Sequence, residues 1–120
     1  MKHWLVGLIF LATPIAAQDI HHHEGMSPEV DRFYSTWLQP NEGRQRYYGC
    51  CSRLDCYPTD AQFRGGHWWA RHRETGNWII VPSHKVEHDQ PDGRDSPDGR
   101  THMCASPTGV VYCFVVATGT

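Results

Sequence analysis

Five cysteines within one short chain constrain this sequence more than any other feature. Cys50, Cys51, Cys56, Cys104 and Cys113 fall in 120 residues, the length of a single ordinary domain. Ahead of them, Met1-Lys2-His3, an apolar run over 4–11 and small residues ending at Ala16-Ala17 make the three parts of a secretory signal. The run falls short of the roughly 20 residues that span a bilayer, and Pro14 breaks a helix near its end. Cleavage is expected after Ala17. No cysteine follows the small residues, so no lipid or membrane anchor is expected afterwards.

Export changes what the cysteines mean. In an oxidising compartment disulfides are the default, and an odd count leaves one thiol over. Vicinal Cys50 and Cys51 are poorly placed to bond each other. The expectation is that the 50–56 cluster is tied to Cys104 and Cys113, with the pairing open. Each bridge would contribute about 2–4 kcal/mol. That matters in a mature chain of roughly 100 residues, which buries only about 60–65% of its unfolded surface.

The order of elements follows from periodicity. Residues 18–26 are polar, include His21-His22-His23, and read as a flexible N-terminus. Ser27 can cap a helix that starts at Pro28, with Glu29 and Asp31 at its positive end. Val30, Phe33, Tyr34, Trp37 and Leu38 then form one apolar stripe before Pro40, which predicts a helix over 27–38. The residues 67–73 and 78–81, around the 74–77 turn, predict a hairpin. Pro58 predicts a loop after Cys56. The stretch 82–100 is polar and holds Pro-Asp-Gly-Arg twice, which is turn chemistry. Val110 to Ala117 is apolar on both faces and predicts a central, covered strand. The resulting fold class is α+β: one N-terminal amphipathic helix on a disulfide-stabilised antiparallel sheet of four or five strands. The domain plan is a signal at 1–17, a His-containing segment at 18–26 and a single compact domain at 27–120.

Gly25-Met26, Tyr34-Ser35-Thr36-Trp37, the Cys50–Cys56 cluster, Trp68-Trp69, Glu74-Thr75-Gly76, residues 96–104 and Cys113-Phe114 run through nearly the whole mature chain. In this pattern the chain resembles a group of small exported proteobacterial proteins of uncharacterised function. The resemblance implies a shared fold and carries no activity, substrate or catalytic residue.

Charge and chemistry then rank the functional classes. The net charge is −2, and loss of Lys2 with the leader lowers it by one. An acidic balance argues against nucleic acid or an anionic membrane as partner. Trp68 and Trp69 point to opposite faces of a strand, so one is expected against Phe33 and Trp37 and the other under loop 82–100 or open as a stacking surface. Asp98, Arg100 and His102 gather beside Cys104, and Arg100 and His102 share a strand face. Trp68, Trp69, Arg100 and His102 are therefore the candidate ligand-surface residues. The first expectation is a binding or interaction module of the cell envelope, periplasmic or secreted, with an envelope ligand or protein as partner and no cofactor.

Two alternatives compete. A metal-handling protein would use His21, His22 and His23, His84 and His88, or cysteines with His102, and would take copper or zinc. A small envelope hydrolase is suggested by Cys51-Ser52-Arg53-Leu54, which resembles the nucleophile segment of papain-like cell-wall endopeptidases, with His102 downstream. That family opens a helix at its cysteine, whereas Pro58 and the lack of helical period oppose one here. No complete catalytic set is specified.

Overall fold

The computed structural model describes residues 26–50 and 53–118. The leader, the His21–His23 segment and Cys51 lie outside them.

The helix α1, Pro28–Thr36, forms as its sequence dictates. The Ser27 hydroxyl accepts a hydrogen bond from the Val30 amide at 3.2 Å, and Glu29 and Asp31 sit at the positive end of the dipole. It stops two residues before the expected Leu38. Pro40 disfavours a helical residue before it, and the backbone finds other partners: the Cys50 amide donates to Trp37 O and the Gln39 amide to Tyr48 O. Trp37, just past the last turn, still completes the apolar stripe at 1% exposure.

Six strands follow: β1 Cys56–Pro58, β2 Ala61–Arg64, β3 His67–Arg71, β4 Trp78–Val81, β5 His102–Ala105 and β6 Val111–Val115. They do not make one sheet of four or five strands. They make two three-stranded antiparallel sheets, ordered β1-β5-β6 and β2-β3-β4. The segment after Cys56 is thus not simply a loop, since Pro58 ends an edge strand, where a missing amide donor is tolerated. β2 joins β3 through Gly65-Gly66, both at positive φ, as a two-residue hairpin loop requires. Of the segment at Val110–Ala117 only the strand β6 is covered, while Val110 is 55% exposed and Ala117 is exposed; β6 also lies at the end of its sheet, and β5 is central. A bridge between Val86 and Phe114 lies along β6.

Burial separates two apolar clusters, one on each face of the β1-β5-β6 sheet. Cys104, Cys113 and Val115 face the helix residues Val30, Phe33, Tyr34 and Trp37. Met103, Ala105, Val111 and Phe114 face Ala70, Val81 and Val86, with Trp68 and Ile79 packed at the side. The domain is therefore layered as helix, inner sheet and outer sheet. A bulge in the β5–β6 pairing, where Cys104 opposes Cys113 and Ala105 opposes Val111, keeps both inner-sheet faces in register with their layers.

Disulfides Cys50–Cys113 and Cys56–Cys104 lie in the helix-facing cluster. They connect the early cluster to the two late cysteines as expected, and they fix the pairing that spacing left open. Two such bridges belong to a non-reducing compartment. Among the described residues no helix is long and apolar enough to cross a membrane.

Candidate functional site

Among the described residues, the three-layer arrangement leaves one face of the outer sheet with no element packed on it. Strand alternation assigns its residues. Gln62, Trp69 and Ile80 are in register across the three strands, flanked by the pairs Arg71–Trp78 and Arg64–His67. Trp69 and Trp78 are half-buried, whereas Ile80 is 47% exposed. The Arg64 guanidinium lies 4.9 Å from the Trp69 ring centroid and 5.9 Å from that of Trp78. Arg71 lies 5.0 Å from the Trp78 centroid. Each cation sits within cation–π range of an indole, so the face is a row of rings edged with positive charge. No carboxylate stands among these seven residues.

At the end of this face an open cleft of about 350 Å³ runs between the strand ends. Arg71, Arg73 and Arg100 line it with Thr59 and Gly76, and Asp60 is the one acid in its wall among the described residues. Arg73 is anchored, stacking 4.5 Å from the Tyr57 centroid and donating to Leu54 O at 2.6 Å. The Arg100 guanidinium makes no hydrogen bond or ion pair among the described residues, although its backbone amide donates to Asp98.

Behind the cleft a polar chain runs inward from the exposed Asp98 to the buried His102 and Tyr34. Asp98 accepts a hydrogen bond from the Arg100 amide, and its Oδ1 is 2.6 Å from His102 Nε2. Burial opposes ionisation of Asp98, but these bonds, with His102 foremost, hold its carboxyl below the ordinary range. An ionised Asp98 only accepts, so Nε2 carries the proton. Nδ1 then accepts from the Tyr34 hydroxyl at 2.6 Å. Burial pushes the His102 pKa down, and it prevails over the attraction of Asp98. Burial, then Asp98, pushes the Tyr34 phenol up. The chain pins α1 to β5 with a neutral imidazole.

A pH dependence follows. His102 has a folded pKa below its unfolded value near 6.5, so its contribution is complete above that value. It is lost as pH falls from there toward the folded pKa. Urea unfolding at pH 8 and pH 5 is expected to show lower stability at pH 5, and His102→Gln is expected to narrow that difference. An equal difference in the variant would assign the acid sensitivity to other groups.

The sequence-derived candidates are thus divided. Trp69 reaches the open face. Trp68 faces inward and packs on Phe114 at 6.0 Å and Phe63 at 5.3 Å between centroids. It does not meet Phe33 or Trp37, because the inner sheet stands between it and the helix. Arg100 is exposed at the cleft. His102 is 1% exposed and so is no surface residue; its ring faces Tyr34 instead. Cys50, Cys56, Cys104 and Cys113 are bridged, which removes them as thiolate ligands and removes Cys56 as a nucleophile. His84 and His88 occupy separate 3-10 turns, Ser83–Lys85 and Glu87–Asp89. Among the described residues no group of three or more His, Cys, Asp or Glu side chains is placed to hold a metal ion. Sequence reasoning missed Trp78, Arg64 and Arg71. The signal was present, because any antiparallel hairpin closed at 74–77 puts Trp69, Arg71 and Trp78 on one face.

Fold and site together define a disulfide-bridged, mostly β domain with an open aromatic and arginine-rich sheet face. Comparison with known proteins finds no matching family, curated protein or solved structure.

Proposed function

We propose that this chain is an exported envelope module, periplasmic or secreted, that binds an acidic glycan through the open face of its outer sheet. The observation that carries the reading is the Trp69–Trp78 pair with Arg64 and Arg71 stacked on its rings. Flat indoles match the C–H faces of pyranose rings, and desolvated apolar area of this kind marks recognition surfaces. The charge argument selects among glycans. The surrounding chain is net acidic, yet this face and the adjoining cleft carry four arginines, at positions 64, 71, 73 and 100, against Asp60. A ligand bearing carboxylates is complementary to that pattern, and guanidinium–carboxylate pairing is directional enough to orient it.

Co-sedimentation with purified peptidoglycan sacculi, whose sugars carry carboxylates, tests the proposal. The wild-type chain is expected in the pellet, and the Trp69→Ala/Trp78→Ala pair is expected to weaken binding at least tenfold. Both rings lie on the open face, so circular dichroism and the unfolding midpoint should show a folded variant. Unchanged sedimentation of a folded double variant would remove the face as the binding surface. Binding to a poly-glutamate peptide in place of sacculi would point to a protein partner and contradict the glycan reading.

A further inference from the structure

We infer that the cleft lined by Arg71, Arg73 and Arg100 is a dedicated oxyanion subsite, taking a carboxylate or phosphate group. The inference deepens the proposed function and rests on it only for the identity of the larger ligand. Three features support it.

First, the three guanidiniums come from separate places in the chain: the end of β3, the turn that follows it, and the loop before β5. Their collection around one cleft of about 350 Å³, with Asp60 in its wall and Glu74 paired to Arg73, sets three guanidiniums against two carboxylates among the described residues. Like charges are disfavoured unless something offsets them. Second, the three arginines are graded in how firmly they are held. Arg73 is fixed by Tyr57, by Leu54 O and by Glu74 at 3.5 Å. Arg71 is stacked on Trp78 and reaches Gly76 O at 3.5 Å. Arg100 alone has its guanidinium without a partner among the described residues, and its donors are open to an arriving ligand. Third, Arg71 belongs both to the cleft wall and to the ring row. A polymer lying on Trp69 and Trp78 therefore passes the cleft mouth, and its acidic substituent can enter there.

The outer end of the polar chain acts as the mount for this arginine. Asp98 takes the Arg100 amide while holding His102, and Ser96 Oγ donates to Arg100 O at 2.6 Å. Both backbone groups of Arg100 are thus hydrogen-bonded, and the guanidinium projects from a fixed backbone.

Isothermal titration of the full chain at low ionic strength, separately with inorganic phosphate and with succinate, tests the subsite. Saturable binding of at least one anion is expected, and Arg100→Gln is expected to weaken it at least fivefold. Arg71→Gln, a second variant on another element, should weaken it similarly. Preference for phosphate would indicate a phosphorylated ligand and preference for succinate a carboxylated one; either supports the subsite. Both anions are titrated without any glycan, which separates this inference from the sugar-binding reading. Absence of saturable binding, or unchanged affinity in a folded Arg100→Gln variant, would overturn the subsite. Sacculus binding lost on Trp replacement would meanwhile leave the proposed function standing.

Discussion

Removing the Cys50–Cys113 bridge, as Cys50→Ala/Cys113→Ala, is expected to destabilise the domain by about 4 kcal/mol. The bridge spans 63 residues, and the loop-closure entropy it removes from the unfolded chain grows slowly with that length. Cys56–Cys104 spans 48 residues but joins strands that already pair residue to residue. Cys50–Cys113 instead fastens the segment after the helix to β6, from which no strand pairing holds it. Both sulfurs are fully buried, so their loss also opens space beside Trp37 and Val115 in the helix-facing cluster. Typical domains have only about 5–15 kcal/mol in total, and a small one loses about 4–8 °C of Tm per kcal/mol. The melting temperature should therefore fall by roughly 20 °C. A fall of only a few degrees would mean that the unfolded chain is already compact without the bridge.

The second large effect is expected at Glu87, which is 0% exposed. Its carboxylate accepts from Arg46 Nη1 at 2.7 Å and Nη2 at 2.9 Å, from Trp37 Nε1 at 2.7 Å, and from the Arg94 amide at 3.1 Å. Arg46, with an 8% exposed side chain, also pairs with Asp92 at 2.9 Å. The hydrogen bonds to Glu87, ahead of the opposing effect of burial, push the Arg46 guanidinium further up. Glu87→Ala strands the Trp37 indole donor and half the Arg46 fork inside the protein. Removing one partner of a buried pair costs about 3–5 kcal/mol, and Asp92 should keep the loss near 3. Glu87→Gln retains one acceptor oxygen for Trp37 and is expected to lose less. Urea unfolding checks both, and a loss under about 1 kcal/mol for Glu87→Ala would show the network to be dispensable. The loop that encloses Glu87 is built for contact: a Cβ on Gly93 would lie 1.9 Å from Glu87 O.

These two sites illustrate what local sequence can and cannot carry. The Ser27 cap, the stripe from Val30 to Trp37 and the hairpin around 74–77 are local signals, and they became α1, β3 and β4. The ends of the disulfides were legible because four cysteines cluster in two regions. The split into two sheets was not, since β1 pairs with β5 across 48 residues at Cys56 and Cys104. No period or turn encodes that choice of partner. β2 is composed of Ala61, Gln62, Phe63 and Arg64, a weak strand by propensity, and its signal lay in the Gly65-Gly66 loop.

Residues 82–100 read as polar turns; two 3-10 helices, Ser83–Lys85 and Glu87–Asp89, come first, and then the first Pro-Asp-Gly-Arg copy lies in a turn and the second in a bend. Their acids nevertheless work on distant partners: Asp92 pairs with Arg46, and Asp98 with His102. Burial of Glu87 depends on Arg46, 41 residues away, so nothing near Glu87 announces it. At the candidate site, Trp69 and Arg100 were legible as exposed chemistry in a hairpin and a turn. His102 was misread because its partner, Tyr34, comes from the far side of the inner sheet.

The central claim is that the Trp69–Trp78 face is the surface that meets ligand. It is tested most directly by NMR of the indole Nε1–H resonances during titration with soluble, carboxylate-bearing muropeptides. The Trp69 and Trp78 signals are expected to shift saturably with one common affinity, while Trp37, whose indole is locked on Glu87, stays in place. Saturable binding that leaves Trp69 and Trp78 unmoved, or no binding at all, would contradict the account.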